Sequence, residues 1–231
     1  MMKSELITIP KAILATLLYF IGIQLIGVRF IIGEKIGFEN SYTYYHLIQG
    51  ILQLTGVLIF IYFIRNRTFK NLIKKTHLKW YLCALILGMS FVFMQTPLNW
   101  IYNLIFGTEY QIAYSIDGLA KAKFTNINII ATVLMIPIGE ELFFRGYIQN
   151  NLQKKTNTVV AILLTSLLFA SIHAPYANLI LDLIKQDWHL FYLALFGGII
   201  SGILYFKSKS IGPSIIFSMF WNIMISISLI A

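Results

Sequence analysis

The sequence predicts an all-α protein: a polytopic transmembrane helix bundle of about seven to eight membrane helices, forming a single membrane domain over residues 1–231. Two observations carry this. Of the 231 residues, 58% are hydrophobic and 12% charged, against roughly 25% charged in an ordinary soluble domain, which leaves too little polar surface to clothe a water-soluble globule. The apolar residues also gather into windows of about 17 to 25 residues, the length that spans a bilayer's hydrocarbon core. These fall approximately at 12–32, 44–64, 80–106, 125–149, 158–174, 188–206 and 210–231.

The first window follows a short charged start, continues past Arg29 and lacks a small-residue cleavage site, so it reads as a retained span rather than a signal peptide. The second is apolar throughout its length. The third contains Pro97; proline kinks or ends helices, and a separate piece over Leu98 to Phe106 would raise the count to eight. The fourth carries PIGEELFFRGY, with three charges inside an otherwise apolar run. The sixth spaces Gly198 and Gly202 as GxxxG, the signature of close helix packing. No repeat or Gly/Ser-rich linker divides the chain, and the single cysteine, Cys83, forms no internal disulfide and belongs to no CxxC metal motif.

A net charge of +9 invites a nucleic-acid reading, but the charges lie between spans, where the excess of Lys and Arg in cytoplasmic loops explains them. Arg65, Arg67, Lys70, Lys74, Lys75 and Lys79 lie between spans two and three, Lys154 and Lys155 between four and five, and Lys207 and Lys209 between six and seven. The opposite loops hold Glu34, Glu39, Glu109, Asp117, Asp182 and Asp187, with Lys35, Lys121, Lys123, Lys185 and Arg29 near them. A seven-span chain with a cytoplasmic N-terminus therefore puts every basic cluster on one side. Trp80, Trp100 and Trp188 near span ends fit interfacial anchoring. The expected partners are the lipid bilayer and a membrane-associated peptide or protein, not nucleic acid.

The informative residues are those left inside the spans: Glu140, Glu141 and Arg145 in span four, His173 in span five, and Asn222 in span seven. A charge at the centre of a membrane helix costs at least ~2.5 to 3.5 kcal/mol, so such residues face protein or water and are functional candidates. Glu140 precedes the turn near Thr156 by 16 residues and His173 follows it by 17. At roughly 1.5 Å per residue, an antiparallel helix pair sets both about 24 to 26 Å from that turn. Asn222, with Ser218 one turn closer to the cytoplasm, enters the same slab of membrane from span seven. Glu141 and Arg145 are four apart on one helix face, the spacing of an ion pair. Glu140 points about 100° away and is left for a different role. A carboxylate in an apolar pocket beside an imidazole suits a general base acting on water. Asn178 and Asp182 are candidates for part of an external mouth, which the sequence does not show.

EELFFR (Glu140 to Arg145) resembles the EExxxR motif of the CPBP family, the CAAX proteases and bacteriocin-processing enzymes also called Abi proteins. FASIH (Phe169 to His173) is similar to its FxxxH motif, and Gly197 through GPSIIFSMFWN (Gly212 to Asn222) to its last block, which ends in HxxxN. The resemblance covers a catalytic core of about residues 125–222. It implies a bundle of about eight helices around a cavity in which Glu140 activates water, Glu141 and Arg145 support it, His173 holds the water or stabilises the transition state, and Asn222 contributes to the oxyanion site. The implied substrates are membrane-associated or prenylated peptides. A divalent metal such as zinc is disfavoured, because one Glu pair and one in-span His fall short of the three protein ligands usual for catalytic zinc. One position departs from the pattern: Ser218 stands where HxxxN has its histidine. That departure keeps a second class in view, a non-catalytic membrane adaptor such as a bacteriocin self-immunity or signalling-partner protein.

Overall fold

The computed structural model describes residues 8–35, 45–64, 74–109, 127–174 and 188–229. Among them the regular structure is helical, in seven elements: α1 (Ile9–Lys35), α2 (Tyr45–Ile64), α3 (Leu78–Phe106), α4, α5 (Thr158–Ser171), α6 (His189–Ser208) and α7 (Ile211–Leu229). Helix α4 is composite. It runs from Ile127–Ile130 through a π-helical turn at Ala131–Met135, an α-helical Ile136–Glu141 and a π-helical Leu142–Gln149 to Asn150–Leu152. Each of the seven apolar windows falls on one of these elements.

Two boundaries differ from expectation. Helix α3 passes through Pro97 without a break and ends at Gly107, which adopts a left-handed φ of 63° and donates its N–H to Asn103 O. A proline removes one bond of the helical ladder, but α3 is held on both sides of it. Before Pro97, Ala84 and Phe91 pack against Phe217 and Trp221 of α7, and a side chain on Gly88 would collide with Phe217 O. Beyond Pro97, Asn99 Oδ1 meets His189 Nε2 of α6 at 2.6 Å. Helix α5 stops at Ser171, so His173 lies in the following turn rather than inside the helix. The cause is Pro175, since the residue before a proline is pushed out of the helical region. At its other end α5 is capped by Asn157, whose side chain accepts the N–H of Val160 at 2.8 Å.

Proline also shapes α4. In the π-helical turn, the N–H of Ile136 bonds to Ala131 O. The next bond of that pattern would bring the N–H of residue 137 to Thr132 O, and Pro137 has none. Asn222 of α7 supplies the donor instead, Nδ2 to Thr132 O at 2.8 Å.

The interior is aromatic and small-residue rich. One cluster gathers Phe143, Phe144, Ile148 and Leu152 of α4 with Ala161, Phe169 and Ala170 of α5 and Ala194 of α6. Large apolar side chains cover the outside, among them Leu18, Tyr62, Ile86, Phe93, Leu104 and Leu163. Large exposed apolar surfaces of this kind mark contact with a membrane or with another protein. By length and hydropathy, α3 and α6 are, among the described residues, sufficient to cross a bilayer.

Alternating helices bring the basic segments to one end of the bundle. Thr76 Oγ1 donates to Ser208 O at 3.0 Å, which sets Lys74, Lys75 and Lys79 beside Lys207 and Lys209. Helix α4 runs parallel to α6, so Lys154 and Lys155 emerge at that end too. Arg65, Arg67, Lys70, Glu39, Asp117, Lys121, Lys123, Asn178, Asp182, Lys185 and Asp187 lie outside the described residues.

Candidate active site

Glu141 and Arg145 form the expected ion pair, Arg145 Nε to Glu141 Oε2 at 3.3 Å, with both side chains almost fully buried. A buried pair is stable only if its remaining hydrogen-bonding capacity is met. Here α6 and α7 meet most of it. Ser201 Oγ donates to Glu141 Oε2 at 2.7 Å and accepts from Arg145 Nε at 3.2 Å. Arg145 Nη2 donates to Gly198 O at 3.2 Å, and its guanidinium lies over the Phe169 ring at 5.0 Å. Ser218 Oγ donates to Glu141 Oε1 at 2.7 Å, so the serine that stands in the histidine position holds Glu141. Both carboxylate oxygens of Glu141 are thereby engaged.

The small residues of α6 make this possible. A Cβ on Gly198 would lie 3.1 Å from Ser166 Cβ, and one on Gly202 3.0 Å from both Gln149 Oε1 and Ile162 Cγ2. The GxxxG stripe therefore packs closely, as expected from the sequence, and it does more. With no side chain in the way, the carbonyls at 198 and 202 accept from Arg145 and, at 2.9 Å, from Gln149 Nε2. Donors four residues apart on α4 meet acceptors four residues apart on α6, as parallel helices require.

Glu140 leaves this network on the side of α2. Its carboxylate is half-buried and within hydrogen-bonding reach of the Gln53 amide. Gln53, 5% exposed, also donates through Nε2 to the Tyr19 hydroxyl of α1.

His173 packs on Phe169, whose ring is edge-on to Phe144 at 5.3 Å and tilted against the imidazole at 4.8 Å. Its Nδ1 meets Phe169 O at 3.0 Å, satisfying a carbonyl that the end of α5 leaves without a helical partner. A carbonyl only accepts, so Nδ1 carries the hydrogen, and in the neutral ring Nε2 carries a lone pair. Asn222 sits one helix away, its amide on Thr132 O.

The sequence criterion of polar groups inside spans singled out the residues of α4, α5 and α7 but passed over Ser201 and Gln53. For Gln53 the signal was present, an amide in the apolar run of α2. Ser201 was hidden between two glycines read only as packing. As for metal, no three His, Cys, Asp or Glu ligands come together among the described residues. Glu141 is consumed by Arg145 and two serines, which leaves Glu140 and His173.

Residues 122–224, a little under half of the chain, match the family model described as type II CAAX prenyl endopeptidase Rce1-like. Searches of curated proteins and of solved structures give no match.

Proposed function

We propose that this chain is a glutamate-dependent intramembrane endopeptidase, a reading supported by the match of residues 122–224 to the type II CAAX prenyl endopeptidase Rce1-like family model. It hydrolyses a peptide bond of a membrane-associated or prenylated peptide. The observation that carries the reading is the division within α4. Glu141 and Arg145 are locked to each other and to α6 and α7, while Glu140 lies beside Gln53 of α2.

Glu140 takes a proton from a water as its oxygen attacks the scissile carbonyl, the role of a general base. His173, with Nδ1–H held on Phe169 O, accepts a hydrogen bond from the same water at Nε2, and Glu140 later passes the proton it took to the leaving amine. Asn222 has a second Nδ2 hydrogen beyond the one given to Thr132, and it supplies a donor to the tetrahedral oxyanion. Glu141 and Arg145 keep α4 in place beside α6. No step is routed through a metal. The basic end of the bundle faces the cytoplasm; the N-terminus and Lys11 lie at that face, and the seven helices cross the cell membrane in turn.

The test uses the full chain in proteoliposomes with a quenched-fluorescent prenylated CAAX peptide and its unprenylated twin. Wild type cleaves at least one of them, whereas Glu140→Gln and His173→Ala lose cleavage and remain folded. Failure of wild type on both peptides, or cleavage surviving in both variants, sinks the proposal.

A further inference from the structure

Two polar side chains bear on Glu140 from outside the family-matched segment, Tyr19 of α1 and Gln53 of α2. An amide buried in an apolar helix is costly to keep unless it is used. The Gln53 amide is fixed at its nitrogen, which donates to the Tyr19 hydroxyl and faces the Glu140 carboxylate. A carboxylate only accepts hydrogen bonds, so the group turned toward it is the NH₂ with its two hydrogens.

The backbone geometry places this amide independently. Gly139, the residue before Glu140, faces α2, and a Cβ there would make ordinary contact with it, 3.6 Å from Leu54 Cα and 3.8 Å from Gln53 Cγ. Tyr19 is fixed in turn by its ring, stacked on Phe143 with centroids 4.4 Å apart and edge-on to Phe144 at 5.6 Å. Both groups line a cavity of about 350 Å³ between α1, α2 and α4. Its walls include Gly22 and Gly56, at each of which an added Cβ would meet nothing within 4 Å.

We propose that Gln53 and Tyr19 are positioning residues for Glu140: the Gln53 amide holds the carboxylate in one orientation, and the Tyr19 hydroxyl holds the amide. The proposal rests on the reading of Glu140 as the reactive group. It gives the first two helices, which lie beyond the family-matched segment, a part in the chemistry.

The experiment follows the labelling of Glu140 by an apolar carbodiimide, read by peptide mass spectrometry on the full chain in proteoliposomes. It compares wild type, Gln53→Met, Tyr19→Phe and Gly56→Ala. Gln53→Met keeps the side-chain length, and Tyr19→Phe keeps the ring packing. Labelling of Glu140 rises about tenfold or more in Gln53→Met, which removes a hydrogen bond to a charged group, and about threefold to tenfold in Tyr19→Phe, which removes a neutral one. On the prenylated CAAX peptide kcat falls by a similar factor while KM stays, and Gly56→Ala, which changes the same cavity without touching the pair, alters neither quantity. Labelling at the wild-type rate in folded Gln53→Met and Tyr19→Phe overturns the proposal, as does an equal rise in Gly56→Ala, which would report access to the cavity. Labelling requires no hydrolysis, so a chain that cleaves neither peptide overturns the protease reading and leaves this result to be read by itself.

Discussion

Ser218→Ala separates two roles for the serine that replaces a histidine. In the structure its hydroxyl donates to Glu141 Oε1 at 2.7 Å, and Glu141 is 1% exposed, so the variant leaves a buried carboxylate oxygen short of a donor. A hydrogen bond to a charged group contributes about 1.5–3 kcal/mol. For a chain of this size, ~2 kcal/mol corresponds to a fall in Tm of roughly 4–8 °C. Because Ser201 and Arg145 still hold Oε2, α4 keeps its place and cleavage declines by no more than about tenfold, the equivalent of ~1.4 kcal/mol. The assay is thermal unfolding in detergent alongside cleavage of the prenylated peptide, completed by Glu141→Gln and the double variant. Residues in direct contact couple by about 0.5–3 kcal/mol in such a cycle. The reasoning is refuted by the opposite pattern: unchanged stability with a loss of cleavage on the order of 10² to 10³, the mark of a lost oxyanion donor.

Arg145→Ala removes the cation from a fully buried pair and leaves Glu141 uncompensated. It costs about 3–5 kcal/mol, which pulse-chase experiments register as loss of accumulated protein. Gly197→Ala places a methyl against the Trp221 ring; overpacking of this kind costs roughly 1–3 kcal/mol, and thermal unfolding in detergent measures it. A chelator such as 1,10-phenanthroline leaves cleavage unchanged, since Glu141 is spent on Arg145, Ser201 and Ser218; inhibition reversed by added zinc would show that two remaining ligands suffice.

The helices were legible in the sequence because bilayer thickness imposes a length on each apolar run, and every window found its element. The Glu141–Arg145 pair was legible as well, since its spacing is a property of one helix. What escaped were relations between helices. Pro97 looks like a break when α3 is considered by itself, and only the packing of α7 on one side and α6 on the other keeps it continuous. Ser218, read from the motif, had lost a histidine; its use as a donor to Glu141 depends on how α7 lies against α4. Gln53 was passed over although an amide stands in the apolar run of α2, and its tie to Glu140 depends on how α2 lies against α4.

The carbonyls of Gly198 and Gly202 set a further condition on how this protein can change. The buried arginine is received in part by main chain, at Gly198 O, and main chain has no side chain to mutate; the Ser201 hydroxyl of the same helix holds its Nε. Every residue on the outer face of α6 can be exchanged to suit a different lipid without altering the groups that hold Arg145. The inner face of α6 must keep Gly198 and Gly202 without a Cβ and Ser201 with its hydroxyl, and Gly197 leaves room for Trp221. The anchor of α4 is thus insulated from drift along most of α6, yet open to failure through the smallest of substitutions, the single methyl of an alanine.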